Sequence, residues 1–155
     1  KCTCTSPTLK DGSHTISVKA SDNDGNAAAA KTATFTVDTV PPTLQITAPS
    51  NDLVTNKKTV TITGKTDDVT SKPVTVTVNG ATVTVGTDGT FMKEVTLVEG
   101  ANTITIVAKD KAGKTTTVTR KVTVDTSAPV IKSITLTPNP VDCGKTFIIA
   151  VEITD

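Results

Sequence analysis

Apolar and hydroxyl-bearing residues alternate along much of the chain, most plainly over residues 74–85, VTVTVNGATVTV. Successive side chains of a strand point to opposite faces, so Val74, Val76, Val78, Val83 and Val85 share one face while Thr75, Thr77, Thr82 and Thr84 share the other. The pattern predicts a hairpin that is dry on one side and wet on the other. Asn79-Gly80 tolerates positive φ at both central positions of a type I′ turn, and that turn sets the register. Val78 then faces Ala81, Thr77 faces Thr82, Val76 faces Val83 and Thr75 faces Thr84, apolar with apolar and hydroxyl with hydroxyl.

The same period of two predicts further strands near Thr43 to Thr47, Thr59 to Thr63, Phe91 to Leu97, Asn102 to Ala108 and Thr115 to Val124, with hairpin strands at Val74 to Val78 and Ala81 to Val85. Turns fall at Asp88-Gly89, Glu99-Gly100 and Ala112-Gly113. Seven short alternating strands separated by such turns imply an all-β, two-sheet antiparallel sandwich of immunoglobulin-like type. The expected core is Val60, Ile62, Val74, Val76, Val83, Phe91, Val95, Leu97, Ile104, Ile106, Val118, Val122 and Val124.

The chain also repeats itself. Residues 9–20, LKDGSHTISVKA, return 88 positions later as residues 97–108, LVEGANTITIVA. Thr36-Val37-Asp38-Thr39, followed by Pro42, returns 87 positions later as Thr123-Val124-Asp125-Thr126, followed by Pro129. Such self-similarity marks a repeated structural unit. Val40-Pro41-Pro42 and Ser127-Ala128-Pro129 read as short stiff linkers, because proline has no backbone donor for a ladder and fixes φ. The expected organisation is the C-terminal part of one unit (1–39), a complete unit (40–126) and the opening of a third (127–155). The chain starts on Lys1 with no leader pattern and stops inside a strand-like pattern at Asp155, so it reads as an excerpt.

Residues 76–80 (VTVNG), 88–91 (DGTF) and 97–113 (LVEGANTITIVAKDKAG) together resemble bacterial immunoglobulin-like domains, particularly the type first described as glucodextranase domain B. The resemblance spans nearly all of 40–126. Residues 9–39 resemble the last strands of a related immunoglobulin-like repeat, and 129–155, with Thr137-Pro138-Asn139-Pro140-Val141, the start of another. It implies tandem modules of bacterial surface or secreted proteins, extracellular polysaccharide-degrading enzymes or phage virion proteins. The expected location is extracellular or cell-surface, with a virion surface as the alternative. A fold of this kind implies architecture more firmly than activity.

Composition narrows the partners. Sixteen basic and fifteen acidic residues leave a net charge of +1 with no basic patch, which gives nucleic acid no electrostatic footprint. The longest strongly apolar run, Phe147 to Val151, is far below the roughly 20 residues of a spanning helix, so no membrane insertion is expected. There is no Trp or Tyr, and Phe35, Phe91 and Phe147 are the only carbocyclic rings, so a glycan-stacking face or an aromatic binding hot spot has little to draw on. Three cysteines, Cys2, Cys4 and Cys143, match neither a zinc site nor a disulfide framework.

Candidate chemistry is sparse, and no enzyme is expected. The single histidine, His14, corresponds to Asn102 in the second copy, which reads as a turn-edge residue rather than a catalytic base. The adjacent acids Asp67-Asp68 could pair for glycoside hydrolysis but read as solvated loop residues before Pro73. Asp22, Asp24 and Asn26 around Gly25 form the best calcium candidate, although the second copy, DKAGK, replaces donors with lysines and a hairpin turn accounts for the motif. The linker acids Asp38 and Asp125 could hold a cation between units, but they read first as turn caps. No cofactor is expected beyond that possible calcium. The functional expectation is a non-catalytic spacer or stalk whose partners are the neighbouring units of its own chain. The alternatives are an adhesive or weak glycan-binding module contacting a host surface, or an appendage of a polysaccharide-degrading enzyme.

Overall fold

The computed structural model describes residues 5, 7–137, 139–140 and 142–155, and every described element is a strand. In chain order these are β1 (Gly12–Val18), β2 (Lys31–Val37), β3 (Thr43–Ala48), β4 (Leu53–Thr55), β5 (Thr59–Asp67), β6 (Thr75–Val78), β7 (Ala81–Val83), β8 (Thr90–Thr96), β9 (Gly100–Lys109), β10 (Thr115–Val124), β11 (Val130–Thr137) and β12 (Ile148–Thr154). Residues 43–124 form the sandwich. One sheet has the order β3-β5-β8 and the other β4-β10-β9-β6-β7. β1-β2 and β11-β12 are two-stranded sheets of their own.

The hairpin of β6 and β7 has the expected register, Val76 with Val83, Thr77 with Thr82 and Val78 with Ala81. Asn79 and Gly80 have φ of 47° and 81°, both positive as a type I′ turn demands. The expected Thr75–Thr84 pair does not form. The chain leaves the sheet after Val83, and Val85 bridges to Phe91 at the start of the opposite sheet. Crossing between sheets costs the last rung of the hairpin but ties the two layers together.

The buried core contains Ile62 and Phe91 from the three-stranded sheet, Val76, Val78, Val83, Ile104, Ile106, Ala108, Val122 and Val124 from the five-stranded one, and Leu97 beyond β8. Val60, Val74 and Val95 pack around its rim half-buried, and Val118 is half-buried on β10, so four expected core residues lie at the margin. One buried polar group is explained by its partner: Thr66 is 2% exposed, and its hydroxyl donates to the carbonyl of Thr43 at 2.6 Å. A buried hydroxyl left unpaired would cost about 1–3 kcal/mol.

The sandwich is not purely antiparallel. β4, absent from the sequence reading, runs parallel to β10, pairing Leu53 to Val122 and Thr55 to Val124. It is three residues long with Val54 exposed, too short to show a period of two.

The repeat is visible as geometry. Gly12 pairs with Val37 across β1-β2 as Gly100 pairs with Val124 across β9-β10. Thr43 pairs with Asp67 across β3-β5 as Val130 pairs with Thr154 across β11-β12. Ile16 and Val18 on β1 are exposed, whereas their counterparts Ile104 and Ile106 on β9 are covered by the facing sheet.

Candidate functional site

Both hairpins that carry the repeat close in the same way. The N–H of Asp22 donates to the carbonyl of Asn26, and that of Asp110 to the carbonyl of Lys114, at 3.0 and 3.1 Å. In each, the side chain Oδ1 of the aspartate then accepts the N–H of the residue four positions on, Asn26 or Lys114, at 2.8 Å. At the opposite end, His14 Nε2 donates to the carbonyl of Lys10 at 2.7 Å, and Asn102 Nδ2 to the carbonyl of Val98, also at 2.7 Å. Imidazole and amide do one job, closing the turn before the strand. The His14 ring also stacks on Phe35 with centroids 5.6 Å apart.

The linkers are stapled back onto these hairpins. The N–H and hydroxyl of Thr39 donate to the carboxylate of Asp11, and those of Thr126 to the carboxylate of Glu99. Asp38 Oδ1 accepts the N–H of Val40 and Asp125 Oδ1 that of Ser127, at 3.1 and 2.9 Å. Each linker acid thus accepts the N–H of the residue two positions on.

Asp22, Asp24 and Asn26 do not form an open oxygen cradle. Asp22 Oδ1 accepts the N–H groups of Asp24 and Asn26, and its Oδ2 accepts the side chain amide of Asn26 at 2.9 Å. These bonds, that of the Asn26 amide foremost, hold the Asp22 carboxyl below its ordinary value. Its lone pairs are taken up by N–H donors, the arrangement of a capped turn.

The acids come together elsewhere. Among the described residues one group, Asp38, Asp68 and Asp110, brings a carboxylate oxygen from each within 4.8 Å of the others. Asp38 ends the first hairpin unit, Asp68 follows β5 and Asp110 follows β9. Asp68 is not the solvated residue that the sequence suggests; it is 6% exposed, and Asp110 is 5% exposed. The loop after β5 folds over Asp68 because its Oδ1 accepts the N–H groups of Thr70 and Ser71 at 2.8 and 2.7 Å. The carbonyl of Ser71 then accepts the N–H of Lys111, which joins this loop to the β9-β10 turn. Asp67 points away to an exposed ion pair with Lys72 at 2.8 Å. The adjacent acids thus have separate partners.

Each carboxylate of the cluster uses Oδ1 to cap a turn. Oδ2 of Asp38 and Oδ2 of Asp110 are inaccessible to solvent and have no hydrogen-bond partner. A cleft of about 280 Å³ between Val40-Pro41 and Asp67 to Thr70 reaches Asp68 from outside. A larger open groove of about 590 Å³ crosses Gln45, Thr63 to Lys65, Thr84 and Phe91-Met92, and Lys65 is the sole ionisable group on its lining. Of the cysteines, Cys143 is a free, exposed thiol, whereas Cys2 and Cys4 lie outside the described residues.

The glucodextranase domain B family matches residues 42–126, more than half of the chain. The chain belongs to that family. A bacterial Ig-like domain family matches residues 1–39. Bacillopeptidase F of Bacillus subtilis (strain 168) is 33% identical over 126 residues, which is 81% of this chain and 9% of that protein. Among solved structures, the Clostridium thermocellum CbhA fibronectin(III)-like modules align with 76% of this chain and 64% of theirs, at 24% identity and a TM-score of 0.44. A tetra-tandem repeat in the extending region of a large adhesion protein aligns with 93% of this chain and 46% of its own, at 23% identity and a TM-score of 0.46. The chain spans less than two thirds of each of these relatives. Domains of this type are typical of extracellular or surface-associated multidomain proteins and are typically non-catalytic accessory modules.

Proposed function

We propose that the chain is a non-catalytic spacer: one complete immunoglobulin-like unit (40–126) between the C-terminal part of a preceding unit (1–39) and the opening of a following one (127–155), which holds a functional domain of a longer extracellular or surface protein at a distance. The observation that carries this reading is the recurrence of one linker device. Asp38-Thr39 and Asp125-Thr126 are each capped and stapled to the hairpin before them, and each is followed by proline. A linker held this way has few free dihedrals, so reach is set by the stacking of units rather than by a random coil. The valine-in, threonine-out pattern fits the same task, since hydroxyls and scattered lysines keep exposed sheet surfaces from pairing with neighbours.

The match to a small fraction of a long Bacillus protein fits a module that accompanies other domains. Small-angle scattering of the 155-residue chain tests the reading. A compact particle of this length has a radius of gyration of roughly 15 Å and an unfolded chain roughly 40 Å. An extended spacer gives a value clearly above the first, with a pair-distance distribution of a rod. A compact globule or a freely jointed ensemble refutes it, as does specific retention of the chain on a glycan array.

A further inference from the structure

We propose that Asp38, Asp68 and Asp110 bind a calcium ion at the seam where the first linker meets the sandwich. Three observations converge. First, the oxygens lie within 4.8 Å of one another, which is the span an ion bridges when it makes oxygen bonds of roughly 2.4 Å, as calcium does. Second, two of those carboxylates, including the almost fully buried Asp110, have an oxygen that neither water nor any N–H reaches. Buried polar atoms are nearly always paired, and an orphaned one marks a missing partner. The third is the contrast between the two hairpins. In the first, the amide of Asn26 satisfies Asp22 Oδ2; in the second, Lys114 stands at that place, and no donor reaches Asp110 Oδ2.

The donor set is oxygen only, with no imidazole or thiolate, which selects a hard cation over zinc or copper. Because Oδ1 of each aspartate is already held by a backbone N–H, the three carboxylates are oriented before an ion arrives. The cleft beside Val40-Pro41 gives solvent, and hence an ion, a route to Asp68. Magnesium, with bonds of roughly 2.0–2.1 Å and strict octahedral geometry, fits a wide three-carboxylate seam less well.

The next junction has the beginning of the same site. Asp125 stands where Asp38 does, 87 residues on, with the same cap onto the residue two positions later. Asp155 follows Thr154, the partner of Val130, just as Asp68 follows Asp67, the partner of Thr43. In the proposed site, the ion ties the end of one unit to two loops of the following one. Its existence does not depend on the spacer role.

Calorimetric titration of the chelator-stripped 155-residue chain with calcium chloride to about 10 mM, together with melting curves with and without calcium, tests the site. Extracellular calcium modules bind in the range of roughly 10⁻⁴–10⁻³ M. The expected result is saturable uptake with a raised melting temperature, weakened at least tenfold by Asp38→Asn and by Asp110→Asn, and retained in Asp22→Asn with Asp24→Asn. Far-ultraviolet circular dichroism of each variant establishes that it is folded. The proposal falls if neither heat nor melting temperature responds to calcium, if folded Asp38→Asn and Asp110→Asn bind like the wild type, or if the Asp22/Asp24 variant abolishes uptake. It also falls if magnesium chloride binds as tightly as calcium. Scattering that showed a compact chain would refute the spacer and leave calcium uptake standing.

Discussion

Asp110→Asn separates the two things that Asp110 does. The amide oxygen still accepts the N–H of Lys114, which closes the β9-β10 turn, while the new amide N–H₂ supplies donors to the orphaned oxygens of the seam. What is lost is one negative charge among three. At 4.8 Å, two unit charges repel by about 3.5 kcal/mol at an effective dielectric of about 20 and by about 0.9 kcal/mol in water. Asp110 faces two such neighbours, and Asp38 is only half-buried, so the aqueous figure is the appropriate floor. The substitution thus relieves roughly 2 kcal/mol of repulsion. For a sandwich of this size each kcal/mol moves the melting temperature by about 4–8 °C. Scanning calorimetry is the suitable assay, because a chain without Trp or Tyr has no useful intrinsic fluorescence. In chelator the variant melts higher than the wild type by at least roughly 8 °C. With calcium at 100 times its wild-type dissociation constant the wild type gains about 2.7 kcal/mol and a variant that binds tenfold more weakly about 1.4 kcal/mol, so the variant's advantage shrinks by more than half. A variant that melts lower than the wild type in chelator, or by a margin that calcium does not change, would refute the reasoning and leave Asp110 as a turn cap alone.

Lys114→Asn copies the first hairpin into the second: its amide is placed to bond Asp110 Oδ2 as Asn26 bonds Asp22 Oδ2, so calcium uptake measured by calorimetry falls while the fold is kept. Gly64→Ala destabilises, since an added Cβ would meet the carbonyl of Gln45 at 2.6 Å and the ring of Phe91 at 2.7 Å. Overpacking of about 1–3 kcal/mol outweighs the roughly 0.5–1 kcal/mol that alanine gains over glycine in a strand, and an unchanged midpoint in urea would count against this packing. Asp88 is held below its ordinary value of 3.8 by the hydroxyl and N–H of Thr90. Its folded value lies under its unfolded one, so its stabilisation is complete above the ordinary value and drains as pH falls through the folded value. Asp88→Asn should accordingly show a shallower loss of melting temperature with acidification below about pH 5.

How far the fold could be read from sequence depended on the range of the contacts. The β6-β7 hairpin was legible because Asn79-Gly80 states both its turn type and its register within a few residues. Seven strands of the sandwich were visible from alternation, and the hairpin repeat from self-similarity. β4 was not, because a parallel pairing with β10 involves residues about 70 positions apart and only three rungs. Asp68 was misread for the same reason. Residues 66–73, TDDVTSKP, look like a polar loop, and only the folding of Thr70 and Ser71 back onto the carboxylate, with the β9-β10 turn laid against Ser71, buries it. Sequence reasoning connected Asp38 with Asp125, its repeat partner, whereas space connects Asp38 with Asp68 and Asp110. The signal that was available is the Asn26-to-Lys114 exchange: an aspartate kept in the turn whose amide partner has been replaced by a cation.

At the first junction, hydrogen bonds fall on both sides of the prolines. On the upstream side, Thr39 is tied to Asp11 through its N–H and hydroxyl. On the downstream side, the carbonyl of Pro42 accepts the hydroxyl of Thr116 at 2.5 Å and the carbonyl of Thr43 that of Thr66, so the chain is anchored to the sandwich as soon as the prolines end. Val40 and Pro41 are what remains between the anchors, and Pro41 has a fixed φ. A junction with two residues of slack still bends if nothing resists rotation about them. Asp38 sits on the upstream side of that hinge, and Asp68 and Asp110 on the downstream side. Without an ion their like charges push the two sides apart; with one, three carboxylates are drawn onto a common centre across the hinge. On the proposed site, the ion would therefore oppose rotation about the two residues that the hydrogen bonds leave free.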